Sequence, residues 1–233
     1  MSGTDDFDNR RAEARLAVNA LDDAKAQTLE ARNNFFDAVY DRAEGDSAQV
    51  PWADLKPKSE LQQWLVDNPG EGRLALDIAC GLGDNAEAIA EAGYQTTGFD
   101  ISAKAISWAK DRFPNSPVVY EVADLFHPPA GWVASFDLVH ECYTLQALPP
   151  ERFDETARAI AALVRPGGAL LVYTRLANPG QIIDGPPWPL LPAQADVFAD
   201  LGFSIVTRKS FDIERPDKTI AHSFTHWIKG EQA

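Results

Sequence analysis

The sequence predicts an α/β protein: a largely parallel sheet with helices on both faces, a closing antiparallel pair of strands, and a helical extension in front. Three observations predict it. Short apolar runs alternate with helix-forming segments from residue 74 to residue 174, as strands joined by helical crossovers do. One of these runs, Leu74-Ala75-Leu76-Asp77-Ile78-Ala79, stops at Cys80-Gly81-Leu82-Gly83 and passes straight into a helix-forming segment, Asn85 to Ala92. Near the C-terminus, Phe203 to Phe211 and His222 to Lys229 alternate as two strands across a turn at Pro216-Asp217, an ending that an all-parallel sheet would not have.

Composition narrows the function. A chain of 233 residues, 45% hydrophobic and 24% charged, is long enough for one domain with a substantial core. Its net charge of -14 repels phosphate backbones and anionic lipid, so neither nucleic acid nor a membrane is the expected partner. No apolar run approaches the roughly 20 residues that span a bilayer. Met1 to Asn9 is polar and acidic, without a basic-then-apolar signal pattern. A cytoplasmic protein is expected, with Cys80 and Cys142 as free thiols.

Residues 1–50 read as a helical extension and residues 51–233 as the main domain. Between residues 10 and 43 there is no Pro or Gly, which predicts one long helix or two. Ala14, Ala17, Leu21, Ala24, Thr28, Ala31 and Phe35 fall at a/d spacing. So alanine-rich a seam suits packing on the domain, although pairing with a second copy is the alternative, leaving monomer and homodimer both open. After the break at Gly45 to Pro57, Ser59 is placed to cap a helix from Glu60 to Asp67 that turns Leu61, Trp64 and Leu65 inward. Trp52, in the Pro-bounded loop, either folds over a ligand or plugs the domain edge.

The strand, glycine turn and helix N-terminus at residues 74–92 make a cradle. Gly81 and Gly83 give the tight turn and leave no Cβ in a ligand's way, while the first helical amides point at it. Gly81-x-Gly83-x-x-Ala86 satisfies the dinucleotide fingerprint, which alone is a weak signal. Asp77 and Asp84 would repel a pyrophosphate and suit a cationic ligand better. A second strand, Gln95 to Asp100, ends on a carboxylate 17 residues beyond Gly83, close to the spacing at which such an acid meets ribose hydroxyls. Ile101 beside it is placed to pack on a purine, and Ser102 to cap a helix with Ile106, Ala109 and Phe113 inward. Val118 to Val122 forms a third strand, followed by Ala123-Asp124-Leu125.

The fourth strand and its loop run from Ser135 to Pro149. His140 faces away from Glu141 and reads as packed or hydrogen-bonded rather than catalytic. A helix from Arg152 to Val164 is ended by Arg165-Pro166-Gly167-Gly168, and Ala169 to Thr174 makes the fifth strand. Arg175 to Leu191 is a Pro- and Gly-rich loop whose Arg175 and Trp188 either meet a substrate or pack on the surface. Ala193 to Leu201 reads as a helix closed by Gly202. His222 and His226, on a strand, stand about 13 Å apart, too far to share an ion, so no metal is expected.

Asp77-x-Ala79-x-Gly81-x-Gly83-Asp84 resembles motif I of the S-adenosylmethionine-dependent methyltransferases with a Rossmann-like fold. Phe136-Asp137-Leu138-Val139 followed by an acid is similar to their motif IV, and Val164-Arg165-Pro166-Gly167-Gly168-Ala169-Leu170 to a junction that recurs among them. Pro51-Trp52 is similar to a segment of the thiopurine, thiol-type and tellurite-resistance branches. The resemblance covers roughly residues 50–229. It implies a seven-stranded sheet of order 3-2-1-4-5-7-6 with an antiparallel last strand. It also implies S-adenosylmethionine as cofactor, S-adenosylhomocysteine as product, and a small-molecule acceptor methylated by in-line displacement. The cofactor would meet Trp52, Asp77, Ala79, Gly81, Gly83, Asp100, Ile101, Asp124, Leu125 and Glu141, with Asp124 accepting from the adenine amino group and the Leu125 amide on the ring. Tyr143, Arg175 and Trp188 would face the acceptor. Glu141 and Tyr143 are the nearest candidates for a base, and neither is assigned. Glu141 is followed by Cys142, where the thiopurine and halide/thiol branches carry Arg or Tyr, a departure that leaves the acceptor class open although those branches are the nearest resemblance. A methyltransferase-like binding protein without turnover and, on the glycine fingerprint alone, a nicotinamide oxidoreductase stay as alternatives.

Overall fold

The computed structural model describes residues 3–19, 28–178, 180–215 and 218–231. Seven strands, β1 (Leu74–Ile78), β2 (Gln95–Asp100), β3 (Val119–Val122), β4 (Phe136–Cys142), β5 (Val164–Arg175), β6 (Phe203–Arg215) and β7 (Lys218–Lys229), form one sheet. Its order is β3-β2-β1-β4-β5-β7-β6, and β7 runs antiparallel to both neighbours. Order and direction are those the resemblance implies. Among the described residues six helices accompany the sheet: α1 (Gly3–Asn19), α2 (Leu29–Ala43), α3 (Ser59–Asp67), α4 (Asp84–Glu91), α5 (Ala103–Arg112) and α6 (Phe153–Leu163).

Helices cover both faces because the central strands are apolar on both. On one face Leu76, Val139, Leu170 and Trp227 pack with Ala157 and Ile160 of α6. On the other, Ala75, Leu138 and Leu171 pack with Leu61 and Leu65 of α3 and Ile89 of α4. At the far edge β6 and β7 outrun the sheet. Arg175, the end of β5, pairs with His222, and beyond that point Asp212–Arg215 pair with β7 alone. The free end of this hairpin overhangs the C-terminal ends of the parallel strands.

Several local expectations need correction. The N-cap of α3 is Lys58, with Ser59 already inside the helix. No glycine caps α6. The chain turns extended at Val164, and Gly167-Gly168 make an irregularity where β5 joins β4. A Cβ on Gly168 would lie 2.9 Å from the carbonyl oxygens of Arg165 and Phe136, which is why that residue is glycine. Residues 193–201 form two 3-10 turns, Gln194–Asp196 and Ala199–Leu201, instead of a helix.

The N-terminal stripe also divides. Thr28 caps α2 by accepting from the Ala31 amide at 3.3 Å. On α1 the inward residues are Arg11, Ala14 and Val18, whereas Ala17 is exposed. Leu21 and Ala24 lie outside the described residues, as does the Pro216-Asp217 turn. Both N-terminal helices pack on their own chain. Arg10 pairs with Asp46, Arg11 with Asp54, and Arg15 donates to the Pro51 carbonyl at 2.7 Å. Asp37 of α2 accepts from Ser102, whose hydroxyl in turn caps α5. Such contacts favour packing over an intermolecular seam. Among the described residues no helix is long and apolar enough to cross a membrane.

Candidate cofactor and acceptor site

The C-terminal ends of the parallel strands open into a cavity of about 450 Å³, roofed by α1, α2 and the 51–58 loop. Open α/β sheets bind ligands at this edge, where strand order reverses. Here the reversal falls between β1 and β4. Both strands end in strained backbone: φ is +49° at Ala79 and +71° at Tyr143. Left-handed conformations in non-glycine residues persist where the surroundings hold them, and they cluster at functional sites.

On the β1 side the cavity is acidic. Asp77 is buried. His140 Nδ1 lies 2.7 Å from Asp77 Oδ1, whereas Oδ2 has no partner although the residue lines the cavity. Asp100 accepts from the amides of Gly81 (3.1 Å) and Ser102 (3.0 Å), and burial pushes its carboxyl up to about 6 against those two hydrogen bonds. Gly81 has φ +54°, and a Cβ there would stand 3.3 Å from the hydroxyl of Tyr40, which roofs the turn and accepts from Trp52 Nε1 at 2.9 Å. Asp124, Leu125 and Ile101 also line the cavity. Asp124 already serves its own turn, accepting from the Phe126 amide at 2.9 Å with His127 Nδ1 at 2.8 Å.

On the far side the character changes. Tyr143 reaches from the end of β4, its hydroxyl 3.0 Å from His222 Nε2 on β7. His222 Nδ1 donates to the Ile220 carbonyl at 2.8 Å, so Nε2 is left as an acceptor and the Tyr143 hydroxyl donates to it. Burial, then the nearby Arg175, Lys58 and Arg215, pull His222 down to about 4, against the effect of the Ile220 carbonyl. Lys58 Nζ lies 4.8 Å and Arg175 Cζ 5.3 Å from the centre of the Tyr143 ring. Burial and neighbouring Cys142 both push the Tyr143 hydroxyl up, well above the ordinary phenol.

The methyltransferase domain family matches residues 75–168, the stretch from β1 to the start of β5. A ubiquinone biosynthesis O-methyltransferase of Bordetella avium is 30% identical over 190 residues, covering 77% of this chain and 68% of that protein. The chain belongs to the S-adenosylmethionine-dependent methyltransferases. Two further ubiquinone biosynthesis O-methyltransferases are matched over only 54% and 57% of their length. Among solved structures, one from work on the conversion of a disulfide bond into a thioacetal group in echinomycin biosynthesis aligns with a TM-score of 0.68 at 23% identity, covering 86% of this chain and 93% of that one. A Burkholderia thailandensis 1,6-didemethyltoxoflavin-N1-methyltransferase with bound S-adenosylhomocysteine aligns at 0.62 and 19%, covering 85% and 87%. These structural likenesses concern the fold.

The methyltransferase cofactor is tested by the cradle itself. The ligand carries a sulfonium and an ammonium, and the buried, unpartnered Oδ2 of Asp77 is an acceptor awaiting a cationic donor. Asp100, desolvated at the mouth of the glycine turn, matches a vicinal diol. The residues fit the group. Asp84 does not supply the charge expected of it, because Arg112 neutralises it with two hydrogen bonds of 2.8 Å. Gly83 is no part of the cavity wall either. It has φ +92°, and a Cβ there would collide with the Tyr120 hydroxyl at 2.4 Å, so packing and turn geometry require the glycine.

Two other expectations fail. Glu141 is buried behind the wall, its Oε1 accepting from the Leu145 amide at 3.0 Å, so it shapes the loop that carries Tyr143 and is not a base in the cavity. Trp188 is likewise packed away, its ring 5.7 Å from the Arg32 guanidinium and its amide donating to the Gln146 carbonyl. The remaining expected residues, Trp52, Ala79, Leu125, Ile101, Tyr143 and Arg175, do line the cavity. Sequence reasoning missed Tyr40, Phe36, Arg15, Lys58, Arg215 and Ile220 on its wall. All come from elements outside the strand–turn–helix core, where no local motif marks them.

Proposed function

We propose that this methyltransferase transfers the methyl group to a hydroxyl oxygen of a small acceptor bound beside Tyr143. The observation that carries the reading is one covered cavity lined at its acidic end by Asp77, Gly81 and Asp100 and at its other end by Tyr143. When bound, S-adenosylmethionine supplies a methyl group on a positively charged sulfur, already activated for in-line displacement. The protein's tasks are then alignment, exclusion of water and handling of the acceptor's proton.

Asp77 would hold the cationic end of the cofactor, Asp100 its diol, and Ile101 and Leu125 its base, with Tyr40 and Trp52 closing over them. Tyr143 Oη, donating to His222 Nε2, keeps a lone pair for the acceptor hydroxyl. As the acceptor oxygen loses its proton to Tyr143, the Tyr143 proton passes to His222. The similarity to the Bordetella avium O-methyltransferase supports oxygen as the nucleophile. Trp52 over the cradle supports the other reading, a place near the thiopurine, thiol-type and tellurite-resistance branches. The packing of α1 and α2 on their own chain supports a lid within one protomer.

Calorimetric titration with S-adenosylmethionine and S-adenosylhomocysteine, on the wild type and Asp100→Ala, tests the cofactor, with NAD as control. Micromolar binding lost in the variant supports the reading, whereas no heat from either ligand overturns it. Turnover with matched phenol and thiophenol acceptors then separates the oxygen reading from the thiol one.

A further inference from the structure

The charge lining the cavity changes sign along the sheet. Asp124, Asp100 and Asp77 stand at or just beyond the ends of β3, β2 and β1, while Arg175 and Arg215 stand at the ends of β5 and β6, and Arg15 reaches down from α1. Near these arginines the acid lining the cavity is Asp54, which already pairs with Arg11 and Lys58. Among the described residues Arg15, Arg175 and Arg215 make no ion pair with any carboxylate. The Nε atoms of Arg175 and Arg215 are buried without a partner. Burial, and then the repulsion of Arg175, Arg215 and Arg11, hold the Arg15 guanidinium below its ordinary value despite Asp54. In a chain of net charge -14, three cations left uncompensated at one cavity wall need an anion.

We propose that the methyl acceptor is an organic anion, a carboxylate or a phosphate monoester, seated against Arg15, Arg175 and Arg215. The inference rests on the methyltransferase reading of the cavity. The cofactor has one carboxylate of its own, for which a single guanidinium suffices, and the others call for a second anion. Guanidinium pairs with carboxylate or phosphate oxygens bidentately, which would fix the acceptor's orientation as well as its charge.

The test uses protein saturated with S-adenosylhomocysteine, titrated with benzoate, phenyl phosphate and the neutral isostere benzamide. At least one anion is expected to bind more than about tenfold tighter than benzamide, because its hydrogen bonds to guanidinium are charge-assisted. The preferred anion tells carboxylate from phosphate. In the double variant Arg175→Gln/Arg215→Gln the preference is expected to vanish while S-adenosylhomocysteine affinity and the circular-dichroism melt stay as in the wild type. Equal binding of anions and benzamide, or a preference surviving in the double variant, overturns the proposal. Loss of S-adenosylhomocysteine binding in that variant overturns it too, because the arginines would then serve the cofactor. Should the wild type not bind S-adenosylhomocysteine at all, the methyltransferase reading itself fails and the proposal falls with it.

Discussion

Asp77 on β1 and His140 on β4 are register partners in adjacent parallel strands, and His140 Nδ1 lies 2.7 Å from Asp77 Oδ1 with both side chains withdrawn from water. One carboxylate oxygen is thereby fixed, and the other, Oδ2, is buried without a partner on a residue that lines the cavity. His140 thus holds from behind the carboxylate that we propose meets the cationic end of the cofactor.

Removing His140 leaves a buried carboxylate without its partner. His140→Ala is expected to lower unfolding stability by about 3–5 kcal/mol and to weaken S-adenosylhomocysteine binding, because Asp77 can then rotate. Urea denaturation and calorimetry check both. A loss below about 1 kcal/mol would mean that the pair is not the anchor proposed.

The role proposed for Asp100 predicts a pH dependence of cofactor binding. Burial raises its folded carboxyl from the ordinary 3.8 to about 6. The free protein therefore takes up a proton as pH falls through that value, and the diol loses its acceptor. Affinity for S-adenosylhomocysteine is expected to be flat above about pH 7 and to fall about tenfold per unit below the folded value. In Asp100→Asn the profile should be flat and uniformly weak. The same raised value makes Asp100 favour the folded state in acid, where its proton is held more tightly than in the unfolded chain. Lost affinity there is consequently not lost folding, which a melt at each pH confirms.

Glu141 tests the correction made to its role. Burial, helped by nearby Asp77, lifts it from 4.5 to about 8 in spite of the Leu145 and Thr144 amides. The folded state binds more protons than the unfolded state between those values, so this residue's contribution to stability declines as pH rises through that window. Glu141→Gln keeps the shape and removes the charge. It is expected to raise Tm by roughly 2–4 °C at about pH 8 for each kcal/mol recovered, to change little at about pH 5, and to leave turnover within about threefold. A collapse of kcat at unchanged stability would restore Glu141 as a catalytic group.

The strand–turn–helix motif and the acids after β2 and β3 were legible because each is local. Gly81 and Asp100 sit where the chain turns, and a turn writes its demands into a few adjacent residues. The order β3-β2-β1-β4-β5-β7-β6 was what the resemblance to the methyltransferases implied, and only its antiparallel ending was legible in the residues themselves. What local pattern could not show is which side chains meet across distance. Glu141 and Tyr143 are two residues apart, yet one is sealed behind the wall and the other opens into the cavity, since φ of +71° at Tyr143 turns the chain. Arg15 and Arg215 converge from opposite ends of the chain, and neither lies in a motif.

The pair Tyr143–His222 supplies the sharpest catalytic test. With His222 drawn down to about 4, the imidazole is neutral at ordinary pH and its Nε2 accepts, so Tyr143 is held as donor on one side and left as acceptor on the other. Tyr143→Phe keeps the ring between Lys58 and Arg175 but removes the relay. For hydroxyl acceptors kcat is expected to fall about 10²–10³-fold with KM for the cofactor nearly unchanged, the scale of positioned acid–base catalysis. Thiol acceptors, which attack as thiolates, should lose far less. His222→Gln should reproduce part of the defect through Tyr143, and the wild-type rate should stay level from about pH 6 to 8 because His222 titrates well below that range. If Tyr143→Phe retained activity within about threefold on a phenol, proton transfer would have to run through another group, and the wall opposite Asp77 would be a binding surface only.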